Sequence, residues 1–190
     1  MTQEQELKYI SRSPTPPTLP LGWSLGAERK ALEIVDTYLD HKSALIGRGW
    51  ALRRREVAGE PTRVTLKRNS RRTGALHQRD ELEIESDQLP NEIANLIGGD
   101  LASQLQEVVV LRQYRRSWPL LHNGRPVAEL TFDEIRSGRS HWCEMEIEYT
   151  HNLPESSVQE LTRELEDFFA RNESLTPSER SKVERAIAAL

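Results

Sequence analysis

What most constrains the fold of this chain is a two-residue alternation that recurs along it, each time with an apolar face and a charged face. From Trp142 to Tyr149, Cys143, Met145, Ile147 and Tyr149 alternate with Glu144, Glu146 and Glu148. From Val127 to Glu134, Ala128, Leu130 and Phe132 alternate with Glu129, Thr131 and Asp133. Period two marks a strand whose faces meet different surroundings. The same design opens the chain between Gln3 and Arg12, where Glu4, Glu6 and Lys8 share one face and Gln5, Leu7 and Tyr9 the other. Carboxylates spaced like Glu4 and Glu6 lie roughly 6–7 Å apart along a strand. They repel by about 2–3 kcal/mol at an effective dielectric near 20, and a cation is the usual remedy.

Basic counterparts follow. Trp50 to Arg55 sets Trp50 and Leu52 against Arg53 and Arg55, and after the turn Ala58-Gly59-Glu60-Pro61 the segment Thr62 to Arg68 sets Val64 and Leu66 against Arg63, Thr65 and Lys67. This predicts a hairpin with a basic face. Arg79 to Glu85 places Leu82 and Ile84 opposite Arg79, Glu81, Glu83 and Glu85. The phase of Glu107 to Trp118 is ambiguous. With Tyr114 and Trp118 in the apolar layer, Gln113, Arg115 and Ser117 share the polar face, and Arg112 joins them only across a β-bulge, which is the expectation adopted.

Any one such segment could be an exposed strand with a solvated face. Together they indicate more, because a sheet over a core would show polar residues of no fixed type on its wet face. Here the charged faces sort into acidic and basic ones, the pattern of a barrel with an apolar outside covered by helices and a wet tunnel inside. The lining would set Lys8, Arg53, Arg55, Lys67, Arg79 and Arg115 against Glu4, Glu6, Asp133, Glu144 and Glu146. Guanidinium forks match phosphate oxygens, and the carboxylates suit a hard divalent ion, Mg²⁺ or Mn²⁺.

The remaining segments are expected to cover or connect. Ser13 to Gly26, with Pro14, Pro16, Pro17 and Pro20, reads as an extended insertion pinned by Trp23 and Leu25. Ala27 to Val35 reads as a short helix before a strand at Asp36 to Asp40, and Asn69 to Gln78 as a mobile basic loop. Pro90 to Gln106 reads as helices broken at Gly98-Gly99, with Ile93, Leu96, Ile97, Leu101 and Leu105 buried. Pro154 to Arg171 is a helix with a Val158, Leu161, Leu165, Phe168 stripe. A second helix starts at Thr176-Pro177-Ser178-Glu179 and buries Val183, Ile187 and Leu190. Both are expected to be cover.

At 190 residues one domain, 1–190, is expected, with the barrel in 1–150 and helices in 151–190. A net charge of −4 argues against duplex nucleic acid as a partner, and the single Cys143 excludes an internal disulfide and a multi-cysteine zinc site. No membrane-spanning apolar run or signal peptide is visible, so a cytoplasmic protein is expected.

The ordered set of segments resembles the CYTH, or triphosphate tunnel metalloenzyme, superfamily. Its Glu-x-Glu-x-Lys motif stands here as Glu4, Glu6 and Lys8, its Leu-Arg-x-Arg strand as Leu52 to Arg55, and its Thr-x-Lys strand as Thr65 to Lys67. Asp36 to Asp40 resembles its aromatic-Asp segment, Arg79 to Glu83 its Arg-x-Glu-x-Glu strand, and Leu130 to Asp133 and Cys143 to Glu148 its last two strands. The resemblance implies an α+β fold: a closed eight-stranded antiparallel barrel with covering helices and a C-terminal helical pair. It implies metal ligation by Glu4, Glu6, Asp133, Glu144 and Glu146, and phosphate binding by Lys8, Arg53, Arg55, Lys67, Arg79 and Arg112 or Arg115. Glu81 and Glu83 would support these cations, and Lys8, Glu6 and Glu146 would be catalytic. The activity implied is metal-dependent hydrolysis of inorganic triphosphate by a monomer or homodimer. A nucleoside or thiamine triphosphatase, a class IV adenylate cyclase and a non-catalytic polyphosphate-binding module are the alternatives. The proline-rich insertion and Leu7, where many members are basic, depart from the pattern.

Overall fold

A computed structural model describes residues 1–13 and 15–189; the expectations for Pro14 and Leu190 lie outside the described residues. The strands are β1 (Thr2–Ser11), β2 (Trp23–Leu25), β3 (Leu32–Asp40), β4 (Ala51–Val57), β5 (Arg63–Thr73), β6 (Leu76–Glu85), β7 (Gln106–His122), β8 (Arg125–Ser137), β9 (Ser140–Tyr149) and β10 (Leu175–Pro177). The helices are α1 (Asn91–Ile97), α2 (Gly99–Ala102), α3 (Glu155–Phe169) and α4 (Lys182–Ile187).

All strand pairings are antiparallel, and eight strands form a ring in the order β1-β6-β5-β4-β3-β7-β8-β9 that returns to β1. β1 closes it by pairing Thr2 to Leu7 with β6 and Glu6 to Ser11 with β9. β2 and β10 are short additions on β7 and β1. Closure leaves no edge within the ring, and alternation then sends every second side chain inward.

Apolar residues on the outer face are covered by helices. α3 lays Val158, Leu161, Leu165 and Phe169 on Leu7, Tyr9, Leu130, Met145 and Ile147. Phe169 rather than Phe168 completes the stripe, its ring meeting Tyr9 edge-on at 5.5 Å. α1 sets Ile93 and Ile97 on Leu45, Leu52, Val64 and Leu66, while Leu96 points outward, exposed. A third cluster lies inside the ring. Tyr38, Val109, Leu111 and Ile135 continue the inward faces of β3, β7 and β8, and α4 seats Val183 and Ala186 against them. α4 therefore plugs one end of the tunnel.

Several expectations are corrected here. Residues 27–35 are not helical: Gly26 and Arg29 donate their N–H groups to the carbonyls of Pro119 and Ser117 on β7, and β3 runs from Leu32. Segment 69–78 is the tip of the β5–β6 hairpin, with a register shift between Arg68 and Arg71, rather than a loop. The last helix starts at Ser181, not Thr176, because Ser181 and Glu184 form the reciprocal capping box while Leu175 to Pro177 pair with β1. The bulge that would have turned Arg112 inward does not exist; β7 keeps register with β3 and β8 across 112–116, so Arg112 and Tyr114 share the outer, exposed face. Trp23 does pin the insertion, buried against His122 with ring centroids 4.8 Å apart.

Candidate active-site tunnel

β1 contributes Glu4, Glu6 and Lys8 at consecutive inward positions, all nearly inaccessible. Their backbone register sets what each one meets. Glu4 lies opposite Arg79 of β6, and Lys8 opposite Glu146 of β9. Glu4 accepts from Lys67 Nζ at 2.7 and 2.9 Å and from Arg79 Nε at 2.6 Å. Arg79 also bonds Glu6, which lies 3.1 Å from Lys8 Nζ. Lys8 donates to Glu146 Oε1 at 2.6 Å. Arg115 donates to both oxygens of Asp133 at 2.7 and 2.6 Å and reaches Glu146 Oε2 at 3.3 Å. The result is one alternating chain of charges from Lys67 across the tunnel to Asp133.

A second group lies on β3 and β4. Asp36, wholly buried, accepts two 2.7 Å bonds from Arg55 and one of 2.6 Å from Gln113 Nε2, with Arg53 at 3.4 Å. Glu83 accepts from Thr65 Oγ1 at 2.9 Å, and Glu81 stands 3.3 Å from Lys67. Arg53, Arg55, Lys67, Arg79 and Arg115 thus share one tunnel with Lys8, while Arg112 lies outside it and Arg116 pairs with Glu28 on the surface.

The electrostatics follow from burial opposed by pairing. Burial alone would raise Glu4 and Glu146, yet Lys67 and Arg79 beside Glu4, and Lys182, Lys8 and Arg115 beside Glu146, hold both well below the usual carboxylate range. Burial would likewise lower Lys8, and Glu146 and Glu6 overcome it and push the ammonium up. Asp36 and Asp133 are held down against burial by their arginines and, in both cases, by Lys182. Glu144 is the exception: burial raises it, and Lys182 and Lys8 only partly offset that. Its Oε1 accepts from Trp142 Nε1 at 2.8 Å, while Oε2 has no hydrogen-bond partner among the described residues.

Lys182 is the tunnel residue the sequence did not reveal. α4 carries its ammonium between Asp133 and Glu146 Oε2, the latter at 3.1 Å. The available signal was Ser181-Lys182-Val183-Glu184, a capping box competing with Thr176-Pro177-Ser178-Glu179, which puts lysine in the first turn. His77 is a second omission. It faces inward on β6 opposite Glu6, is fully buried, and donates Nε2–H to the Ser178 carbonyl at 2.7 Å, tying β6 to the C-terminal segment. Burial and the neighbouring Lys8 push its pKa down to about 4.

The remaining space is about 200 Å³, lined by eight cationic and six acidic side chains with Thr65, Tyr38 and a few others. Among the described residues no three His, Cys, Asp or Glu side chains converge into a ready metal cage. The donors nonetheless fit a hard divalent ion in kind, being carboxylate oxygens only. Their demand for a cation is visible in the stand-ins: Lys8 between Glu6 and Glu146, and Lys182 between Asp133 and Glu146.

The family model of the CYTH domain matches residues 2–187. The chain belongs to the CYTH family. Solved structures agree on the fold. A putative adenylyl cyclase from Hippeastrum is 18% identical, with a TM-score of 0.71 over 98% of this chain and 96% of that one. The PH1819 protein of Pyrococcus horikoshii is 19% identical, with a TM-score of 0.63 over 98% and 99%. The triphosphatase of the mimivirus capping enzyme is 9% identical, with a TM-score of 0.53 over 89% and 88%. Among curated proteins none matches this CYTH chain. Among the described residues no helix is long and apolar enough to cross a membrane.

Proposed function

We propose that this CYTH protein is a divalent-metal-dependent phosphohydrolase that cleaves inorganic triphosphate to phosphate and pyrophosphate. The observation that carries the reading is the cavity: its walls are almost wholly charged, cations outnumber carboxylates, and its space is about 200 Å³. That is below the roughly 300 Å³ where drug-sized pockets begin. A short phosphate chain suits it better than a nucleotide. A triphosphate substrate also accords with the neighbours, since the Hippeastrum protein is described as having a dominant triphosphatase activity and the mimivirus domain is a triphosphatase.

In this reading Arg53, Arg55, Lys67, Arg79 and Arg115 bind the phosphate chain, and their carboxylate partners keep the guanidinium planes oriented before it arrives. Lys8 donates to a terminal phosphoryl oxygen and offsets charge as the bond to the leaving pyrophosphate lengthens. Glu4, Glu6, Asp133, Glu144 and Glu146 would hold Mg²⁺ or Mn²⁺, with Glu81 and Glu83 supporting the cations. A bound divalent ion supplies Lewis-acid polarisation of phosphoryl oxygens.

A nucleoside triphosphate is the second reading, favoured by Trp50 beside the tunnel, over whose ring Arg68 sits at 5.7 Å, a platform on which a base could stack. Phosphate release from inorganic triphosphate, ATP and thiamine triphosphate, each with Mg²⁺, Mn²⁺ and a chelator, separates these. Fastest release from inorganic triphosphate, lost with chelator, is expected. Preference for ATP would favour the second reading, and tight binding without release would leave a binding module.

A further inference from the structure

We propose that Lys182 is a tethered cation that competes with the divalent ion for Asp133 and Glu146, so that the docking of α4 sets the protein's metal affinity. The inference rests on the assignment of those carboxylates to metal binding given above. Lys182 is buried, and among the described residues its ion pairs are with these two side chains. An ammonium within bonding distance of two carboxylates occupies the oxygen lone pairs that a metal would need, and both cations cannot have them at once.

α4 is built to hold that lysine in place reversibly. It is one and a half turns long and grips the tunnel through Val183 and Ala186 alone among fully buried apolar residues. Its start is fixed by Ser181 and Glu184, and Glu184 Oε2 accepts from Arg72 Nη2 at 2.7 Å while Arg72 Nη1 bonds the Glu179 carbonyl. Arg72 stands on the β5–β6 hairpin tip, so tip and plug are clasped at a half-exposed contact. Partly exposed ion pairs are weak, which suits a clasp that opens when a stronger ligand claims the carboxylates. Apparent affinity falls by the fraction of molecules whose site is free; if Lys182 holds the carboxylates nine-tenths of the time, the metal binds about tenfold more weakly than its intrinsic affinity.

The test is Mn²⁺ binding by titration calorimetry to the wild type, Lys182→Met and Arg72→Ala, with hydrogen exchange of α4 amides followed in the wild type. Lys182→Met is expected to tighten Mn²⁺ by about tenfold or more and Arg72→Ala by about two- to fivefold, while Mn²⁺ speeds exchange at 182–187 as the plug lets go. Circular dichroism establishes that Lys182→Met is folded; if it is not, the surface variant Arg72→Ala and the exchange measurement decide. Mn²⁺ binding that is unchanged or weaker in both variants, or slower exchange in α4 on adding Mn²⁺, would overturn the proposal while leaving the metal reading intact. No Mn²⁺ binding to any of the three proteins would overturn both.

Discussion

Replacing Asp36 by Asn would separate the two tasks proposed for the tunnel's charge pairs, holding the fold together and preorganising cations for a polyanion. Asp36 is wholly buried and accepts from Arg55, Gln113 and Arg53. The substitution keeps the shape and removes the charge, leaving two guanidinium groups with no buried counter-charge of their own. Breaking a buried pair in this way costs about 3–5 kcal/mol. At roughly 2–4 °C per kcal/mol for a domain of this size, the melting temperature should fall by roughly 6–20 °C. Inorganic triphosphate should then restore more stability to the variant than to the wild type, since phosphate oxygens supply the charge that Asp36 no longer does. Differential scanning calorimetry with and without millimolar tripolyphosphate, in chelator, measures both. A melting temperature within about 2 °C of wild type, or a triphosphate-induced rise no larger in the variant, would refute the reasoning.

Four further outcomes are expected. Glu146→Gln removes the acceptor shared by Lys8, Arg115 and Lys182; metal-dependent phosphate release should fall at least about a hundredfold with the circular dichroism spectrum retained, and full activity would sink the carboxylate assignment. Arg53→Ala should weaken tripolyphosphate binding by about 2–3 kcal/mol, the worth of a charge-assisted bond, with Mn²⁺ binding unchanged in calorimetry. His77 is neutral in the fold with its pKa lowered from 6.5 to about 4, so the unfolded chain binds the extra proton and stability is lost as pH falls from about 6.5 towards 4. Between pH 6.5 and 5 the loss is about 2 kcal/mol, and urea denaturation of His77→Gln should be flatter across that window by this amount. Gly74 has φ +60°, and a Cβ there would stand 2.6 Å from Glu166 Oε1, which holds the Ala75 N–H at 2.8 Å. Gly74→Ala should therefore cost about 2–3 kcal/mol in the same urea assay, combining left-handed strain with a lost hydrogen bond.

The strands were legible in the sequence because a tunnel barrel writes its inside on every second residue. Glu4, Glu6, Lys8, Arg53, Arg55, Lys67, Arg79, Asp133, Glu144 and Glu146 all stand on inward positions of segments whose alternation is unbroken. Alternation fails to inform where both faces are mixed. Along β7 the inward face changes from apolar Val109 and Leu111 to polar Gln113 and Arg115, because the first pair seats the plug and the second faces the tunnel. A single sequence gives no sign of that change, and the apparent mismatch invited a bulge for Arg112. Residues 27–31 take their hydrogen bonds from β7, some 90 residues away, so local propensity could not place them. Lys182 was hidden for the same reason: its helix is short, and what recommends it is the carboxylate pair it meets on β8 and β9, contacts separated by 49 and 36 residues.

The most direct measurement is phosphorus NMR of inorganic triphosphate mixed with the protein and Mg²⁺ or Mn²⁺, repeated with excess chelator and with Glu6→Gln. A metal-dependent tunnel triphosphatase converts each triphosphate to one phosphate and one pyrophosphate, stops when the metal is removed, and loses turnover in the variant while still binding the substrate. Triphosphate that persists with every metal, or turnover indifferent to chelator and to Glu6→Gln, would contradict that function.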